Sequence, residues 1–336
     1  MTKVLITGTA GFIGFHLAKL LLDNGFNVHG YDGLTDYYDV NLKHARHSIL
    51  HKNSKFNSTE GMLEDSQKLE TLADSFKPDV IVHLAAQAGV RYSLEFPRAY
   101  INSNILGTFN VMEIAKRQKV KHLLMASTSS VYGANENMPF TEIEKADTQL
   151  TIYAATKKAN ENMAHSYSHL WKIPTTMFRF FTVYGPWGRP DMALFKFVDA
   201  ILNEKPIDIY NNGEMYRDFT YVDDVVHSIR LLIDLPAQSF YDKKNFRNDS
   251  LSSVAPYRVV NIGNSNTIKL LDFIEAIEDN LGKKSIRNYL PMQTGDVSAT
   301  WSNSSLLKNL TGFSPETNFK KGIANFIKWY RDYYNV

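Results

Sequence analysis

The sequence of 336 residues contains no cysteine. This absence excludes disulfide bonds, cysteine nucleophiles and thiolate metal sites, and it suits a reducing compartment. Lysine and arginine number 37 against 35 aspartate and glutamate residues, so the formal net charge of +2 gives no electrostatic reason to expect a nucleic-acid or membrane-surface partner. No run of about 18 apolar residues is present, so no transmembrane helix is expected.

The start of the chain also lacks the pattern of a secretory signal. Met1-Thr2-Lys3 leads directly into an apolar strand and a glycine turn, without a long apolar region or a small-residue cleavage site. We therefore expect a soluble cytoplasmic protein, and we predict no metal site. The length suffices for one large domain or two ordinary ones, and we favour two closely joined lobes.

Short apolar runs bounded by turn residues alternate with longer amphipathic segments, as in parallel strands joined by helices. The pattern predicts strands near 4–7, 28–31, 80–84, 123–126 and 176–180, and helices near 12–23, 67–76, 98–116 and 153–171. The expected fold class is therefore α/β, with a doubly wound parallel sheet of the Rossmann type and a smaller C-terminal α/β lobe.

A cluster of turn formers at residues 184–190 interrupts this alternation. We predict a dinucleotide-binding domain over residues 1–184 and a substrate-binding lobe over residues 185–336. Segments near 216–232 and 258–262 could return to the first sheet. Residues 242–253 are polar and rich in Asn, Ser and Lys, which predicts an exposed loop without chemistry.

Gly8, Gly11 and Gly14 follow the first predicted strand and open the first predicted helix. Free backbone amides and the positive helix end favour a pyrophosphate there. Asp32 ends the second strand about 20 residues further on, where a carboxylate can bind an adenosine ribose diol and repel a 2′-phosphate. NAD is therefore predicted rather than NADP. The alternative is a glycine-rich turn without a ligand, which the order of strand, turn, helix and acid disfavours.

Tyr153 and Lys157 lie one helical turn apart, so they share one helix face. A tyrosine titrates near ~10 in water, and lowering this to about 7 needs roughly 4 kcal/mol, which one lysine alone need not supply. An oxidised nicotinamide held by the glycine turn would add a second positive charge. Taken alone, such a pair also arises by chance on a helix.

Thr128 ends a strand that should be central in the sheet, so its hydroxyl is expected at the carboxyl edge, where ligands bind. We predict that it hydrogen-bonds the reacting oxygen, although Ser and Thr clusters after strands also serve as turn formers or helix caps. Thr128, Tyr153 and Lys157 together form the predicted catalytic unit.

These motifs together resemble the extended short-chain dehydrogenase/reductases that act on nucleotide sugars. The resemblance covers nearly the whole chain and rests on residues 8–14, 84–93, 128–133, 153–157 and 216–224. Within that superfamily the sequence is most similar to UDP-glucuronate 4-epimerases, through residues 36–39, 88–93 and 181–192.

The resemblance implies a reaction at one sugar carbon. Tyr153, as phenolate, takes the proton of the sugar 4-hydroxyl while hydride passes from C4 to NAD. The 4-keto sugar then rotates to present its other face, hydride returns to that face, and the configuration at C4 is inverted. Tyr153 acts first as base and then as acid, and NAD is regenerated in each turnover.

The resemblance also implies which residues bind the cofactor. One departure is Met62, which stands where relatives usually place an aspartate near adenine, so backbone groups of Met62 and Leu63 are expected to contact adenine and Asp65 to cap a helix. The full set of implied cofactor-binding residues is Gly8, Gly11, Phe12, Ile13, Gly14, Asp32, Met62, Leu63, Leu84, Ala85, Ala86 and Lys157.

A 4-ketouronate is a β-keto acid, so its carboxylate must be held where it is not readily lost as carbon dioxide. Related dehydratases and decarboxylases place an acid where this chain has Ser130. Neutral hydrogen bonds from the nearby hydroxyls are therefore expected to bind the carboxylate, and Arg189 to hold it or a neighbouring hydroxyl, unless Arg189 is only a surface residue. The implied substrate-binding residues are Arg91, Ser129, Ser130, Thr182, Arg189, Arg217 and Asp296.

Several points stay open at this stage. Arg217 and Asp296 match family positions for the diphosphate and ribose of a UDP-sugar, whereas Arg91 either faces the substrate or stabilises its loop. Asn102 and Asn104 are expected either to hold the active-site loop or to cap a helix.

The alternatives to the epimerase are a UDP-glucuronate decarboxylase, a UDP-glucose 4-epimerase and a non-catalytic NAD-binding sensor or scaffold. A homodimer is expected through the helices at 98–116 and 153–171.

Overall fold

The computed structural model describes residues 1–238 and 249–336, and in them strands and helices alternate. The strands are β1 (Lys3–Thr7), β2 (Asn27–Asp32), β3 (Phe56–Glu60), β4 (Val80–His83), β5 (His122–Thr128), β6 (Thr175–Phe180), β7 (Thr182–Tyr184), β8 (Pro206–Tyr210), β9 (Tyr216–Tyr221), β10 (Tyr257–Ile262), β11 (Thr267–Lys269), β12 (Ile286–Leu290) and β13 (Ala299–Thr300).

The α-helices are interspersed among these strands, with a π-helical segment at Ile101–Leu106 and 3-10 turns at Ser129–Tyr132 and Asn211–Gly213. They are α1 (Phe12–Asp23), α2 (Val40–Leu50), α3 (Ser66–Phe76), α4 (Tyr92–Glu95), α5 (Pro97–Tyr100), α6 (Gly107–Gln118), α7 (Ile152–Trp171), α8 (Ala193–Leu202), α9 (Val222–Ile233), α10 (Leu270–Leu281), α11 (Ser305–Thr311) and α12 (Phe319–Tyr334).

Seven parallel strands form the main sheet in the order β10-β6-β5-β4-β1-β2-β3. The chain builds outward from β1 to β3, then returns to the other side of β1 at β4 and builds outward again. The strand order therefore reverses between β1 and β4, and ligands of such sheets bind at the carboxyl ends beside that point. The predicted doubly wound parallel sheet is confirmed.

Helices cover both faces of this sheet, which explains why its strands are apolar runs rather than alternating ones. On one face α1, α9 and α11 pack against the strands in one buried apolar cluster. On the other face α3, α6 and α7 form a second cluster. Within the two described ranges, no helix combines the length and the apolar character needed to span a membrane.

A third apolar cluster lies in the C-terminal part of the chain, where α8, α10 and α12 pack on a small sheet. In this sheet β9 pairs with β7, β11 and β13, while β8 and β12 form a separate parallel pair. Phe219 of β9 stacks on Phe273 of α10, with ring centroids 4.0 Å apart. The boundary at residues 184 and 185 stays a prediction.

Two later segments bear on that boundary. In the segment near 216–232, β9 lies in the small sheet, whereas α9 packs with α1 in the first apolar cluster. The segment near 258–262 is part of β10, which pairs with β6 at the edge of the main sheet. The chain therefore crosses between the two parts more than once.

Several elements differ from the sequence prediction. The helix expected at 98–116 is divided into α5, the π-helical segment and α6. Helix α2 and strand β3 were not predicted, because the buried face of α2 contains Lys43 and Arg46 as well as Leu42 and Leu50, and β3 is a polar edge strand.

Residues 242–248 of the loop expected at 242–253 lie outside the described residues. Residues 249–253 form a loop as expected, but only Ser253 among them is exposed. The Asp249 side chain is buried and accepts two hydrogen bonds of 2.9 Å from Arg258 of β10.

A buried ion pair joins α7 to the centre of the main sheet. Glu161 of α7 accepts hydrogen bonds of 2.9 Å from both Nε and Nη2 of Arg179 on β6. The Ser127 hydroxyl on β5 donates to the same carboxylate at 2.7 Å. The pair therefore fixes the first half of α7 against the carboxyl end of β5.

We predict that Arg179→Met lowers the free energy of unfolding by about 3 kcal/mol, because it leaves the buried Glu161 carboxylate with only the Lys158 ammonium, at 3.2 Å, as an ionic partner. Urea unfolding measures the loss. The double variant Glu161→Leu with Arg179→Met should lose less, since it removes both charges. As a control, Arg230→Met breaks a more exposed pair with Asp234 and should cost under about 1 kcal/mol. A double variant less stable than Arg179→Met would contradict this account.

Candidate active site

One cleft of about 1620 Å³ opens at the carboxyl ends of the central strands. Pockets for one small ligand usually measure roughly 300–1,000 Å³, so this cleft has room for a dinucleotide and a second large ligand. It is lined by every residue predicted for catalysis or binding: Gly8, Gly11, Phe12, Ile13, Gly14, Asp32, Met62, Leu63, Leu84, Ala85, Ala86, Arg91, Thr128, Ser129, Ser130, Tyr153, Lys157, Thr182, Arg189, Arg217 and Asp296.

The glycines of the turn after β1 and of the first turn of α1 serve two purposes. Gly8 has a φ of +86°, and a Cβ there would lie 2.8 Å from the nitrogen of Ala85. A Cβ on Gly14 would lie 2.0 Å from the carbonyl oxygen of Gly8. These two positions therefore require glycine for the packing of the chain itself.

Gly11 differs from these two positions. It is the N-cap residue of α1, no side chain caps the helix, and a Cβ there would meet only the Gly8 carbonyl, at 3.0 Å. The first amides of α1 are consequently available for an anion, and their dipoles favour one. The turn thus fits the pyrophosphate of a dinucleotide.

Asp32 closes β2 at the edge of the same turn. Its two carboxylate oxygens accept one hydrogen bond each, from the amides of Ala10 and Leu34, both at 2.9 Å. Each carboxylate oxygen can accept a second hydrogen bond, so the group can still bind a ribose diol. The acid therefore orders the turn and fits the adenosine ribose of NAD.

The backbone groups of Met62 and Leu63 were expected to contact adenine, and the carbonyls of both residues already have partners. The carbonyl of Met62 accepts from the Tyr31 hydroxyl at 2.9 Å, and that of Leu63 from the Asn110 amide at 2.8 Å. The backbone N–H groups are therefore the better candidates for an adenine contact. Asp65 accepts from the amide of Lys68 at 3.1 Å, which confirms the predicted cap of α3.

Thr128, Tyr153 and Lys157 come from two adjacent elements. Thr128 ends β5 and caps the following 3-10 turn by accepting from the Ser130 amide at 3.2 Å. Tyr153 and Lys157 lie in the first turns of α7, and the Lys157 ammonium donates to the carbonyl oxygen of Ala126 at 2.9 Å. The strand end and the helix start thus bring a hydroxyl, a phenol and an ammonium to one wall of the cleft.

Burial opposes the charged forms of both ionisable groups of this trio. It raises the pKa of Tyr153, while a hydrogen bond with Thr128 and the charge of Arg189 lower it. Burial also lowers the pKa of Lys157 to about 8. Arg189 therefore helps to lower the tyrosine pKa, a contribution that sequence reasoning missed, whereas the contribution expected from a bound nicotinamide stays a prediction.

The structure gives Arg189 a partner that sequence reasoning missed. Its Nε and Nη2 donate to the two carboxylate oxygens of Asp191 at 2.9 and 2.5 Å, and the Tyr37 hydroxyl donates to the same carboxylate at 3.1 Å. Arg189 is thus partly buried and neutralised, neither a surface residue nor a free clamp for a carboxylate. The Arg-Pro-Asp sequence was the available signal, but it does not show where the acid points.

Two arginines and one acid meet at the far end of the cleft. Asp296 lies 3.5 Å from a guanidinium nitrogen of Arg91 and 4.0 Å from one of Arg217. The Arg91 guanidinium also stacks over the Tyr210 ring, 4.6 Å from its centroid, a contact that sequence reasoning missed. Arg91 therefore lies with the predicted nucleotide-binding residues, and this end carries a net positive charge suited to a diphosphate.

The remaining polar residues link the loops around the cleft. Asn104, in the π-helical segment, accepts from the amide of Gln87 at 2.8 Å and donates to its carbonyl at 3.0 Å and to Thr156 of α7 at 3.1 Å. Asn104 therefore holds the loop after β4 beside the cleft, which is the first of the two roles expected for it. Asn102 lines the cleft.

A glycine turn and a ribose acid at the switch point of a parallel sheet, next to a Thr-Tyr-Lys trio, define a dinucleotide-dependent enzyme that oxidises or reduces a carbon bearing a hydroxyl. Residues 5–326 match the family described as GDP-mannose 4,6 dehydratase. The chain belongs to this family of extended short-chain dehydrogenase/reductases.

Known proteins resemble the chain over its whole length. A protein of Rhizobium meliloti (strain 1021) named "Probable UDP-glucuronate 4-epimerase" is 55% identical over 333 residues, 99% of this chain and 98% of the relative. The solved structure of UDP-glucuronic acid 4-epimerase from Bacillus cereus, in complex with UDP-glucuronic acid and NAD, is 31% identical with a TM-score of 0.88, covering 99% of this chain and 100% of that chain. UDP-glucose 4-epimerase from Thermotoga maritima, with UDP-glucose, is 25% identical with a TM-score of 0.85 and the same coverage.

We predict that Lys157→Met abolishes turnover but stabilises the cofactor-free protein at pH 7. A pKa lowered from 10.5 to about 8 lowers the free energy of unfolding by at most about 3 kcal/mol at pH values where the lysine is charged in both the folded and the unfolded state. The wild type should regain this stability as pH rises from 8 towards 10.5, so the difference between the two proteins should shrink there. Thermal and urea unfolding at several pH values measure it.

The exposed Lys205 offers a control, because Lys205→Met should show no such pH-dependent difference. If Lys157→Met were no more stable than the wild type at pH 7, burial would not penalise the ammonium as described.

Proposed function

We propose that the protein is an NAD-dependent UDP-glucuronate 4-epimerase, which interconverts UDP-glucuronate and UDP-galacturonate through a transient 4-keto sugar. The observation that carries the proposal is the wall of the cleft around Tyr153, where hydroxyls of Ser129, Ser130 and Thr182 stand in place of an acid. The similarity to UDP-glucuronate 4-epimerases over nearly the full chain supports it.

The chain's own residues move one proton and orient the sugar. The amides that begin α1, Asp32 and Lys157 fit NAD, which when bound supplies the acceptor and donor of hydride. Tyr153 takes the proton of the 4-hydroxyl as C4 is oxidised, and it returns that proton to the same oxygen as C4 is reduced from the other face. Thr128 holds this oxygen by a hydrogen bond. The net reaction is therefore an isomerisation.

The same wall explains why the uronate keeps its carboxyl group. Loss of carbon dioxide from a β-keto acid leaves an enolate, which needs a proton donor at carbon to proceed to product. The hydroxyls of Ser129, Ser130 and Thr182 can bind the carboxylate with neutral hydrogen bonds but are poor proton donors. Arg189 is already paired with Asp191, so it offers only part of its guanidinium to the sugar.

A product assay tests this function. We expect NMR to show UDP-galacturonate accumulating from UDP-glucuronate without added reductant. Tyr153→Phe should lower kcat by about 10²–10⁴-fold, because it removes the acid/base group, and should still retain NAD. Tyr330→Phe, which removes a hydroxyl bonded to Asp199 outside the cleft, serves as the matched control.

Other outcomes would separate the alternatives. Formation of UDP-xylose would indicate a decarboxylase, and turnover of UDP-glucose alone would indicate a neutral-sugar epimerase. NAD binding without any turnover would indicate a non-catalytic sensor or scaffold.

The cytoplasmic location of the protein stays a prediction.

We also propose a homodimer built on the helices that cover one face of the main sheet. Ile101 and Phe109, on the π-helical segment and α6, are 50% and 41% exposed, and Trp171 at the end of α7 is 43% exposed. Apolar side chains clustered on neighbouring helices are typical of an interface. A second copy of the same surface would cover them symmetrically.

Light scattering should therefore give the mass of a dimer at micromolar concentration, and Phe109→Glu should shift the protein towards monomer by placing a charge in the interface. Ile286→Glu, at a 55% exposed position of β12, should leave the dimer intact. A wild-type protein that is monomeric under these conditions would contradict the interface.

A further inference from the structure

Arg46 of α2 has an unusual environment for a charged side chain. It is 0% exposed, and no carboxylate of residues 1–238 or 249–336 forms an ion pair with it. Buried charges normally have an ionic partner. The segment that leads to it, residues 36–39, is part of the resemblance to epimerases, yet the proposed chemistry gives it no role.

The guanidinium of Arg46 binds two distant parts of the chain. Its Nη1 donates to the carbonyl oxygen of Ala10 at 2.7 Å and to the Tyr38 hydroxyl at 2.8 Å. Its Nη2 donates to the carbonyl oxygen of Trp187 at 2.6 Å, with that of Gly188 at 3.5 Å. Ala10 lies in the glycine turn, and Trp187 lies two residues before Arg189.

Both of these segments depend on an external anchor. The amide of Ala10 donates to Asp32 at 2.9 Å, so Asp32 and Arg46 hold the two polar groups of one residue in the turn. Trp187 has a φ of +60°, a conformation that bulky side chains rarely adopt. Its carbonyl is bound by Arg46 and its ring packs 5.5 Å from that of Phe15 on α1.

A second contact from the same segment reaches the arginine of the loop. Tyr37 donates to Asp191, which in turn holds Arg189 through two hydrogen bonds. The Arg189 guanidinium also lies 5.8 Å from the centroid of the Tyr37 ring. Arg46 thus fixes the backbone of the loop, and Tyr37 fixes its charged side chain.

We propose that Arg46 is a positioning residue that fixes the sugar-facing loop at 184–191 to the turn that holds the dinucleotide. This role rests on the proposed epimerase function, because it aligns Arg189 with Tyr153 over one sugar. The planar fork of arginine reaches two carbonyls in opposite segments, whereas the single ammonium of a lysine cannot bridge them in the same way.

The test compares Arg46→Lys and Arg46→Met with the wild-type holoenzyme. Arg46→Lys keeps the charge but loses the bridge, so we expect bound NAD to dissociate about tenfold faster during gel filtration and the KM for UDP-glucuronate to rise about tenfold or more. Arg46→Met should show at least equal effects. Tyr37→Phe removes only the contact to Asp191, so it should raise KM and leave NAD retention unchanged.

Arg230→Met is the matched control, because Arg230 of α9 also joins two elements, through its hydrogen bond to Asn24 after α1, and pairs with Asp234 at the end of its own helix, but lies outside the cleft. Its KM and NAD retention should equal those of the wild type. Circular dichroism of each variant reports whether it is folded.

Folded Arg46→Lys with wild-type KM and NAD retention would overturn the proposal. Recovery of Arg46→Lys only as unfolded protein would also overturn it, since Arg46 would then serve stability alone. NAD retention is measured without any sugar nucleotide, so it tests Arg46 independently of the substrate. A wild-type protein that holds NAD but does not turn over UDP-glucuronate would defeat the proposed function and leave this readout intact.

Discussion

The central constraint on this active site is that Tyr153 must ionise in a place where burial opposes its ionisation. Thr128 and Arg189 lower the pKa of the phenol, but burial is the larger effect and raises it. Lys157 binds only a carbonyl group, so its positive charge is not neutralised by an acid. A bound cofactor with a positive ring would supply the missing stabilisation, which links proton transfer to the presence of NAD.

The buried polar groups behind the site serve this constraint. The pair between Glu161 and Arg179 fixes α7 against β5 and β6, and Asn104 fixes the loop after β4 to α7. Each of these contacts joins elements that carry a group facing the cleft. Because such contacts are directional, they restrict the relative positions of the elements that line the cleft more than apolar packing alone would. The sheet therefore provides the frame, and the polar groups set the spacing of the reacting residues.

Much of the fold could be predicted from the sequence because buried parallel strands are short apolar runs. The main strands near the switch point were found this way, and α1 was predicted with its observed bounds, Phe12–Asp23. Strand β3 and helix α2 were missed because the first lies at a sheet edge and the second buries Lys43 and Arg46. Periodicity reports apolar faces, so it cannot find an element that buries cations.

The site shows the same division between local and tertiary information. The glycine turn and the Tyr-Lys spacing are local, and the structure places these residues in one cleft. The partners of Arg189 and Arg46 depend on contacts between segments that are far apart in the chain, including 141 residues between Arg46 and Trp187. No spacing rule predicts such pairs. The sequence contained the acid at 191 but not the direction of its side chain.

The distribution of charge along the cleft suits a substrate whose sugar must rotate within the site while its nucleotide stays bound. At one end Arg91 and Arg217 share a single acid, Asp296, and the excess positive charge can hold a diphosphate through every step. At the other end Arg189 is compensated by Asp191, and hydroxyls provide the remaining contacts. Hydroxyls both donate and accept, so they can bind either face of a sugar at similar cost. Strong attachment of the nucleotide and exchangeable contacts to the sugar together allow C4 to present both faces to a bound nicotinamide, while Tyr153 bonds the C4 oxygen in either orientation.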